Sequence, residues 1–316
     1  MEQVKKMPIK LGMSGKYKIM VGKKPGGVES EQRIVTDWFP NLITNGGLDR
    51  LGSTSFNNSS YYCQVGTGNT NPTFADTQLV NYLANVYIDS SADSRNLVTL
   101  YQQRINTYLF GEGVAAGNLA EVGVGWATTG SLFSRALILD SGGSPTTITV
   151  LSDEYLTVVY SYRVYGILAD TTGSVTFTGD IGGTYGYTIR HGHFPEVYSR
   201  KDAGFYPGSA MNQSFCEYQS NYYYTNYVYD DIIGAIDESP AGTAVSVGYT
   251  TVSYSTGTYT TNTMITLSPA QGNLVSSIKS IRFQLGGVWQ VEFDPVIPKT
   301  DQDSLALTFE LTWGRK

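Results

Sequence analysis

Two histidines come closest to a recognisable reactive site in this sequence. They are the only histidines of the chain, His191 and His193, and they lie two residues apart in RHGHF. Residues two apart on a β-strand point to one face, so the pair could bind a metal ion together. No cysteine is near them in sequence, and the nearest carboxylate is Glu196. We therefore predict no metal site and interpret both as half-exposed sheet residues; a metal ion bridging copies on an oligomer axis stays the alternative.

Carboxylates are the second group that could do chemistry. Glycoside hydrolysis needs two of them facing each other about 5–10 Å apart across a cleft. Here they fall where turns are expected, and turn carboxylates are common because they accept local hydrogen bonds. The DSSADS stretch also lacks the glycine and the distal glutamate of a calcium loop. The residues in question are Asp89, Asp93, Asp153, Glu154, Asp230, Asp231, Asp237, Glu238, Asp301 and Asp303.

Other catalytic patterns are not found in the sequence. The glycine-rich stretches VGTGNTNP and FGEGVAAGN have neither the Lys-Ser/Thr ending nor the strand-to-helix setting of a phosphate loop. Two histidines within one strand do not suit a Ser-His-Asp triad. We therefore predict a protein that is not an enzyme and that holds no cofactor.

Tyrosine is the residue type that remains. The stretch EYQSNYYYTNYVYDD is dense in it, and tyrosine offers a large contact area with a polar tip at low entropic cost. That chemistry suits protein interfaces and sugar-binding surfaces, while tyrosines alternating into the core of a sheet are the structural alternative. We predict an interface or receptor-facing surface at Tyr218, Tyr222, Tyr223, Tyr224, Tyr227 and Tyr229.

Lysines are concentrated in the N-terminal segment between Lys5 and Lys24. The formal net charge of −6 argues against a nucleic-acid-binding protein, because such proteins normally present a basic face. We interpret residues 1–15 as a solvated basic arm with no core of its own, which orders against a neighbouring copy on assembly. Contact with nucleic acid or an acidic neighbour is the alternative. The predicted assembly contacts are Lys5, Lys6, Lys10 and Lys16.

The composition predicts strands. The 35 Gly, the 24 Tyr and the low charged fraction of 15% accompany many Ser, Thr and Asn residues, which favours pleated sheets joined by turns. Cys63 and Cys216 lie far apart, and we expect two buried or half-buried residues without a disulfide. The N-terminus MEQVKKMPIKLG lacks the apolar run of a signal peptide, and no stretch approaches the ~18–20 apolar residues of a membrane span. We expect synthesis in a cytoplasm and no membrane insertion.

A repeated cadence connects two of the predicted strands. In SLALTFELTWGRK and EYLTVVYSYRVYG the large residues fall in register, with Leu305 aligned to Leu156 and Trp313 to Val164. Turn signals precede both segments at similar positions. These turns are Gly142-Gly143 and Gly286-Gly287.

We predict an all-β protein built from two antiparallel β-sandwich-like domains, residues 16–166 and 167–316, after the arm of residues 1–15. The domains are either a diverged duplication or two unrelated sandwiches that share a hairpin pattern. One short helix is predicted at Asp76–Ala84, where Asp76 could cap it. The segment Asn41–Gly52 is expected to form one helical turn at most.

Four segments, in order, resemble a family of tailed-bacteriophage virion proteins that occur as tail, tail-fibre, neck and other structural proteins. They are PNLITNGGLDRLG, CQVGTGNTNPTFADTQLVNYLA, LAEVGVGW and LFSRALILDSGGSPTTITVLSDEYLTVVYSYRVY. The closing KSIRFQLGGVWQVEFDPVIPKTDQDSLALTFELTWGR also resembles the ends of such proteins. The resemblance covers Asn41–Tyr165 and Ser280–Lys316, and it leaves Ile167–Ser277 without a counterpart.

The resemblance implies a structural role in a virion, in the tail or neck, as a homo-oligomer that contacts other virion proteins after synthesis in the bacterial host cytoplasm. No catalytic or binding residue carries over, because the shared positions look structural. Gly66 and Gly68 would serve backbone turns, Glu121 would be a buried polar group, and Asp76 would cap a helix. The alternatives are a receptor-binding fibre or tip protein whose second domain contacts host surface glycan, a depolymerase, and a capsid decoration protein.

Overall fold

The fold is described here from a computed structural model that covers residues 6–23, 32–54, 57–179, 181–192, 226–236, 238–251, 254–274 and 277–316. Strands dominate these residues, so the predicted all-β class is confirmed. The α-helix found in them, α1, comprises Asn45–Ser53. Within the same ranges, no helix is long and apolar enough to cross a membrane.

The strands are numbered in chain order. Those before residue 167 are β1 (Lys6–Gly22), β2 (Arg33–Pro40), β3 (Leu42–Ile43), β4 (Tyr62–Gly66), β5 (Tyr82–Tyr87), β6 (Ser90–Asn96), β7 (Tyr101–Phe110), β8 (Gly117–Leu119), β9 (Glu121–Gly125), β10 (Leu132–Leu137), β11 (Ile148–Val150) and β12 (Tyr155–Tyr165). Those after it are β13 (Thr171–Phe177), β14 (Gly183–His191), β15 (Asn226–Tyr229), β16 (Ala244–Thr251), β17 (Thr260–Leu267), β18 (Ile278–Gln284), β19 (Val288–Ile297) and β20 (Leu305–Arg315).

One large sheet of 13 strands organises the molecule, and β1 lies inside it. The strand order is β13-β14-β19-β18-β15-β16-β17-β20-β1-β12-β7-β6, with β2 paired to β1 beside this path. β1 runs antiparallel to β12 through residues 12–22 and parallel to β20 through residues 6–13. A second sheet has the order β3-β10-β9-β4-β5, and β8 pairs with β11.

β1 corrects the expectation of an arm without a core over residues 1–15. Its odd-numbered side chains point inward, and Met7, Ile9 and Leu11 are buried. The lysines that suggested a solvated segment occupy only alternate positions of one strand, and the apolar residues between them fill the core. Pro8 is tolerated because the pairing with β12 begins only at residue 12. Residues 1–5 lie outside the described ranges.

The smaller sheet packs on the inner face of β1, β7 and β12. The hydroxyl groups of Tyr17 on β1 and Ser134 on β10 hydrogen-bond at 2.6 Å across the two layers. Phe133 on β10 makes an edge-on contact with Tyr162 on β12, with 5.3 Å between ring centroids. These tyrosines are large enough to bridge the layers, and Tyr17 satisfies its polar tip on the opposite sheet.

The strands after residue 167 curl around a core of their own. Phe283 on β18 stacks on Phe309 on β20 at 3.8 Å between ring centroids, although three strands separate β18 from β20 in the sheet. β13, at the far end of the sheet, approaches β1. Trp289 and Phe293 are buried within this curl. The first residues of β1 therefore pack in the curled core formed by the strands after residue 167. The inward-pointing side chains of its last residues pack between the large sheet and the smaller sheet.

Three hydrogen bonds anchor the end of β20, two to α1 and one to the adjoining β3. Trp313 donates its indole N–H to the Leu48 carbonyl oxygen at 3.0 Å. Arg315 donates to the Ile43 carbonyl oxygen at 2.6 Å and to the Asn45 side-chain oxygen at 2.7 Å. The last strand of the chain is thus fixed to a helix near its beginning.

The helix predicted at Asp76–Ala84 is wrong. The segment is irregular up to residue 81, and β5 begins inside it. The backbone N–H groups of Val80 and Asn81 donate to the carboxylate of Glu121, at 3.1 and 2.8 Å, instead of to helical carbonyl groups. A buried carboxylate from another part of the chain therefore overrides the local helical pattern.

α1 is longer than the single turn expected within Asn41–Gly52. Thr44 caps it, because its side-chain oxygen accepts the N–H of Gly47 at 2.9 Å. Leu48 and Leu51 are buried, as their spacing on one face predicts. The two glycines after Asn45 disfavour a helix locally, so the cap and the buried face outweigh propensity.

The two segments that align in the sequence are both strands, and they lie on opposite sides of β1. Gly12 faces Tyr165 on β12 and Gly314 on β20, which are equivalent positions in that alignment. The large sheet contains strands from both predicted domains, 16–166 and 167–316. The duplication and the domain boundaries stay predictions.

Candidate functional site

The face of β1 that points away from the core is basic. Its even-numbered residues alternate with the buried ones and bring Lys6, Lys10, Lys16 and Lys18 to one side of the sheet. Lys10 and Lys16 are exposed, and Lys18 is half-exposed. Three of these lysines are predicted assembly contacts, whereas the fourth predicted contact, Lys5, lies outside the described residues.

Strand pairing adds aromatic and polar groups to this face. Gly12 is opposite Tyr165, Ser14 is opposite Arg163, and Tyr165 is in turn opposite Tyr101 on β7. Directly paired residues project to the same face of a sheet. The lysines therefore share their surface with a guanidinium and two phenol rings.

Two cations are held against these rings. The Nζ atom of Lys316 lies 3.7 Å from the centroid of the Tyr165 ring, and the guanidinium carbon of Arg163 lies 4.3 Å from that of Tyr101. The two rings meet edge-on at 5.7 Å. Arg163 also donates from Nε to the side-chain oxygen of Gln103 at 2.5 Å. Both cations are therefore positioned by cation–π contacts instead of by carboxylates.

The phenol of Tyr165 responds to the charge around it. Burial alone would raise its pKa. A hydrogen bond with Ser14, 3.2 Å between the oxygens, and the positive charges of Arg163 and Lys316 outweigh burial and hold the pKa below its ordinary value. The local field is therefore positive, although the chain as a whole carries −6.

Few carboxylates lie on this face, although Asp37 is exposed on β2, which pairs with β1 beside Lys16 and Lys18. Among the described outward-facing residues of β20, β1, β12 and β7, Glu310 is the one carboxylate, and it pairs with Lys6 at 2.7 Å. Five further cations have no ion pair with a described carboxylate. These five, which we call the cation row, are Lys10, Lys16, Lys18, Arg163 and Lys316.

The predicted tyrosine surface is only partly described. Tyr227 and Tyr229 lie on β15 with 6.2 Å between ring centroids. Tyr229 is buried instead of exposed, because β15 is an interior strand of the sheet between β16 and β18, while Tyr227 is half-buried. The others lie outside the described residues, so their interface role stays a prediction. They are Tyr218, Tyr222, Tyr223 and Tyr224.

His191 is a packed side chain at the end of β14. It is buried and not half-exposed, because it lies opposite Trp289 in register, and the two ring centroids are 4.4 Å apart. Its Nδ1 atom lies 3.1 Å from the Gly192 carbonyl oxygen. His193 lies outside the described residues. Within the described ranges, no three His, Cys, Asp or Glu side chains are placed to share a metal ion.

A buried ion pair forms the most extensive polar network inside the smaller sheet. Arg135 and Glu121 are both fully buried and contact each other at 2.8 Å. Arg135 also reaches Asp76 at 2.7 Å and donates to the carbonyl oxygen of Thr70 at 2.8 Å. Asp76 thus accepts from an arginine and does not cap a helix. The network fastens the loop of residues 67–81 to the sheet.

The carboxylate of Glu121 has no capacity left for catalysis. One oxygen accepts the N–H groups of Gly68 and Asn81, and the other accepts from Val80 and Arg135. Gly68 was expected to serve a turn, but its φ is not positive. A Cβ atom there would collide with the Glu121 carboxylate, so this glycine instead permits a close approach.

Three further groups that could react are held in structural roles in the part of the chain that the structure describes. Asp93, in the DSSADS stretch, is on β6 and lies 3.4 Å from Arg104. Asp230 accepts the backbone N–H of Thr243 at 2.7 Å, as expected for a turn carboxylate. Cys63 is buried, and burial raises the pKa of its thiol well above the usual value. A thiol held protonated in this way is a poor nucleophile.

Comparisons with protein-family models, with curated proteins and with solved structures give no match for this chain. Function is therefore inferred below from the residues of this chain and their geometry.

Sequence reasoning found the lysines of the outer face but missed their companions. Arg163 and Tyr165 are neighbours on β12, but Tyr101 and Lys316 are far from them in sequence. The register of β12 with β7 and β1, and of β20 with β1, brings these residues together. The alternation of apolar and polar residues predicts each strand, but it does not predict which strands pair with each other.

Proposed function

We propose that this protein is a non-enzymatic structural component of a tailed bacteriophage virion, placed in the tail or neck and assembled from several copies. The resemblance of residues 41–165 and 280–316 to such proteins supports the proposal. The all-β architecture agrees with it, and so does the use of the buried Glu121–Arg135 pair to fasten a loop.

The observation that carries the proposal is the outer face of β1. Lys10 and Lys16 project from a strand whose other face is deep in the core, so the sheet holds them in fixed register. A surface with positioned cations and tyrosines suits contact with another macromolecule. Glu310, the carboxylate on this face of β20, is engaged by Lys6 and is therefore not free to act as a general base.

The location in the particle can be tested directly. Purified virions would be probed with antibodies raised against this protein and gold-labelled for electron microscopy, with mass spectrometry of the same particles. We expect gold at the tail or neck and a stoichiometry of several copies per particle. Absence from the particles would overturn the proposal, and gold spread over the head would favour a capsid decoration protein.

Self-assembly is tested separately by light scattering of the purified full chain over a range of concentrations. We expect a mass of two or more whole multiples of the 34.5 kDa of one chain. A mass of one chain at every concentration would contradict the homo-oligomer, while the virion location would still be decided by gold labelling.

A receptor-binding fibre or tip protein is the second candidate. The tyrosines and cations around Tyr165 favour it, because aromatic and charged groups together are common in ligand-binding surfaces. Gold at the fibre tip, with blocking of host adsorption by the purified protein, would support this candidate. Adsorption that is unaffected at saturating protein would exclude it.

A further inference from the structure

Three members of the cation row, Lys10, Lys16 and Lys18, lie along β1, and Arg163 and Lys316 extend the row across β12. Lys16 and Lys18 stand two residues apart on β1, about 6.6 Å along the strand. The backbone of Arg163 lies beside Ser14, and its guanidinium extends over Tyr101 and Gln103 on β7. The positive charges therefore form a line and not a single point.

Two members of the cation row are positioned before any ligand arrives. Lys316 and Arg163 are held on the rings of Tyr165 and Tyr101 at 3.7 and 4.3 Å. Cations that are already ordered lose less side-chain entropy when they bind an anion. Next to them, a Cβ atom added at Gly314 would meet nothing within 4 Å, so the surface there is open.

We propose that the outer face of β1 binds a linear acidic polysaccharide through the cation row. Carboxylate or sulfate groups spaced along such a chain would each meet one cation of the row. The inference goes beyond the proposed function and does not depend on it, because it uses only the charges and register of this face.

The tyrosine rings decide between this ligand and other polymers. Bases of single-stranded nucleic acid and neutral sugars both need open aromatic faces for stacking. Here Lys316 covers one face of Tyr165 and Arg163 covers one face of Tyr101. The cluster therefore favours a polyanion without bases, whose charged oxygens meet the cations directly.

The test measures binding of the full chain to polygalacturonate by titration calorimetry, with neutral dextran and oligo(dT) as comparison polymers. We expect saturable binding of polygalacturonate that weakens as salt is added, and no binding of dextran. Oligo(dT) is expected to bind more weakly at the same concentration of charge. No binding of polygalacturonate at low salt, or tighter binding of oligo(dT), would overturn the proposal.

Variants identify the cations that are used. Replacing Lys10, Arg163 and Lys316 together by glutamine is expected to weaken binding by about tenfold or more, because three ionic contacts are lost. Lys6→Gln is the matched control: Lys6 is on the same face of the same strand, but Glu310 already neutralises it at 2.7 Å. An equal loss in Lys6→Gln would mean diffuse attraction and would overturn the proposal.

A variant that is expected to bind more tightly complements the triple variant, because unfolding could explain a loss of binding but not a gain. Glu310→Gln frees Lys6 to join the cation row, so it is expected to strengthen binding and to steepen its dependence on salt. Unchanged or weaker binding in this variant would count against the proposal. A different result would assign the face to self-assembly: the wild type binds no polygalacturonate, and the triple variant has a smaller light-scattering mass than the wild type. In that case the face contacts a second copy of the chain, and the proposal fails.

Discussion

Trp313 of β20 donates its indole N–H to the carbonyl oxygen of Leu48 in α1 at 3.0 Å, across 265 positions of sequence. Both groups are buried. Trp313→Phe keeps an aromatic ring but leaves the Leu48 carbonyl without this donor. We expect the free energy of unfolding to fall by about 1–3 kcal/mol, measured by urea denaturation.

Trp38→Phe provides the control for that variant, because Trp38 is 39% exposed on β2. It is expected to change stability by less than about 0.5 kcal/mol. Equal effects of the two substitutions would show that neither the bond to Leu48 nor the burial of the Trp313 indole adds to stability.

Glu121→Gln removes the fully buried carboxylate that pairs with Arg135, and it leaves the partly buried Asp76 as the remaining carboxylate partner of that arginine. We expect a loss of about 3–5 kcal/mol in the free energy of unfolding, since removing one partner of a buried ion pair is strongly unfavourable. The double variant Glu121→Gln with Arg135→Met is expected to lose less than the sum of the two single variants. Additive losses would contradict a coupled pair.

Asp76 makes the stability of the 67–81 loop depend on pH. Burial tends to raise the pKa of Asp76, but hydrogen bonds from Thr73 and the interaction with Arg135 outweigh it, so the pKa is lowered. An acid with a lowered folded-state pKa stabilises the fold above its unfolded value near 3.9, and this contribution disappears as pH falls through the folded value. Asp76→Asn should therefore be less stable than wild type at pH 7, and the difference should shrink below about pH 4. A difference that is constant with pH in urea titrations would refute this.

Buried tyrosines set the alkaline limit of the fold. Burial raises the pKa of Tyr17, Tyr108, Tyr160 and Tyr162 above 10.0. Such groups stay protonated in the folded state while they ionise in the unfolded chain, so their contribution is complete below about pH 10 and is lost at higher pH. Each should lower the free energy of unfolding by about 1.4 kcal/mol per pH unit above that point. Stability that is flat from pH 9 to 11 would contradict it.

Truncation distinguishes a strand from an arm. Removing residues 1–25 deletes all of β1, and with it the pairing to β12, β2 and β20. We expect no cooperative thermal transition by circular dichroism. Removing only residues 1–5 leaves β1 intact and should preserve the transition. A cooperative transition in the longer deletion would show that the core does not need β1.

Alternation was the part of the fold that the sequence predicted well. β12 and β20 were both expected as strands, and the large residues that define their common pattern, such as Leu156 and Leu305, are buried. Side chains alternate between the two faces of any strand, so this pattern in the sequence does not depend on which strand is the partner. The same alternation was present in β1, but the lysines at its even positions were given more weight than the apolar residues between them.

Partners were the part that could not be predicted. The Asp76–Ala84 helix failed because Glu121, 40 or more positions away, takes the N–H groups that a helix would have used. Tyr165 and Lys316 meet because β12 and β20 each pair with β1 in a register that no pattern within a single strand specifies. Long-range polar contacts and strand register both depend on the assembled sheet.

The parallel pairing of β1 with β20 also imposes a delay during synthesis, because β1 is made long before the strand that pairs with it. Lys6 and Glu310 are 304 positions apart, and at about 5–20 residues per second a ribosome needs roughly 15–60 s to pass from one to the other. Throughout that interval, the edge of β1 that β20 will cover has open backbone hydrogen-bonding groups, a state in which chains readily join one another. The nascent protein must therefore be kept apart from its neighbours until its final strand emerges.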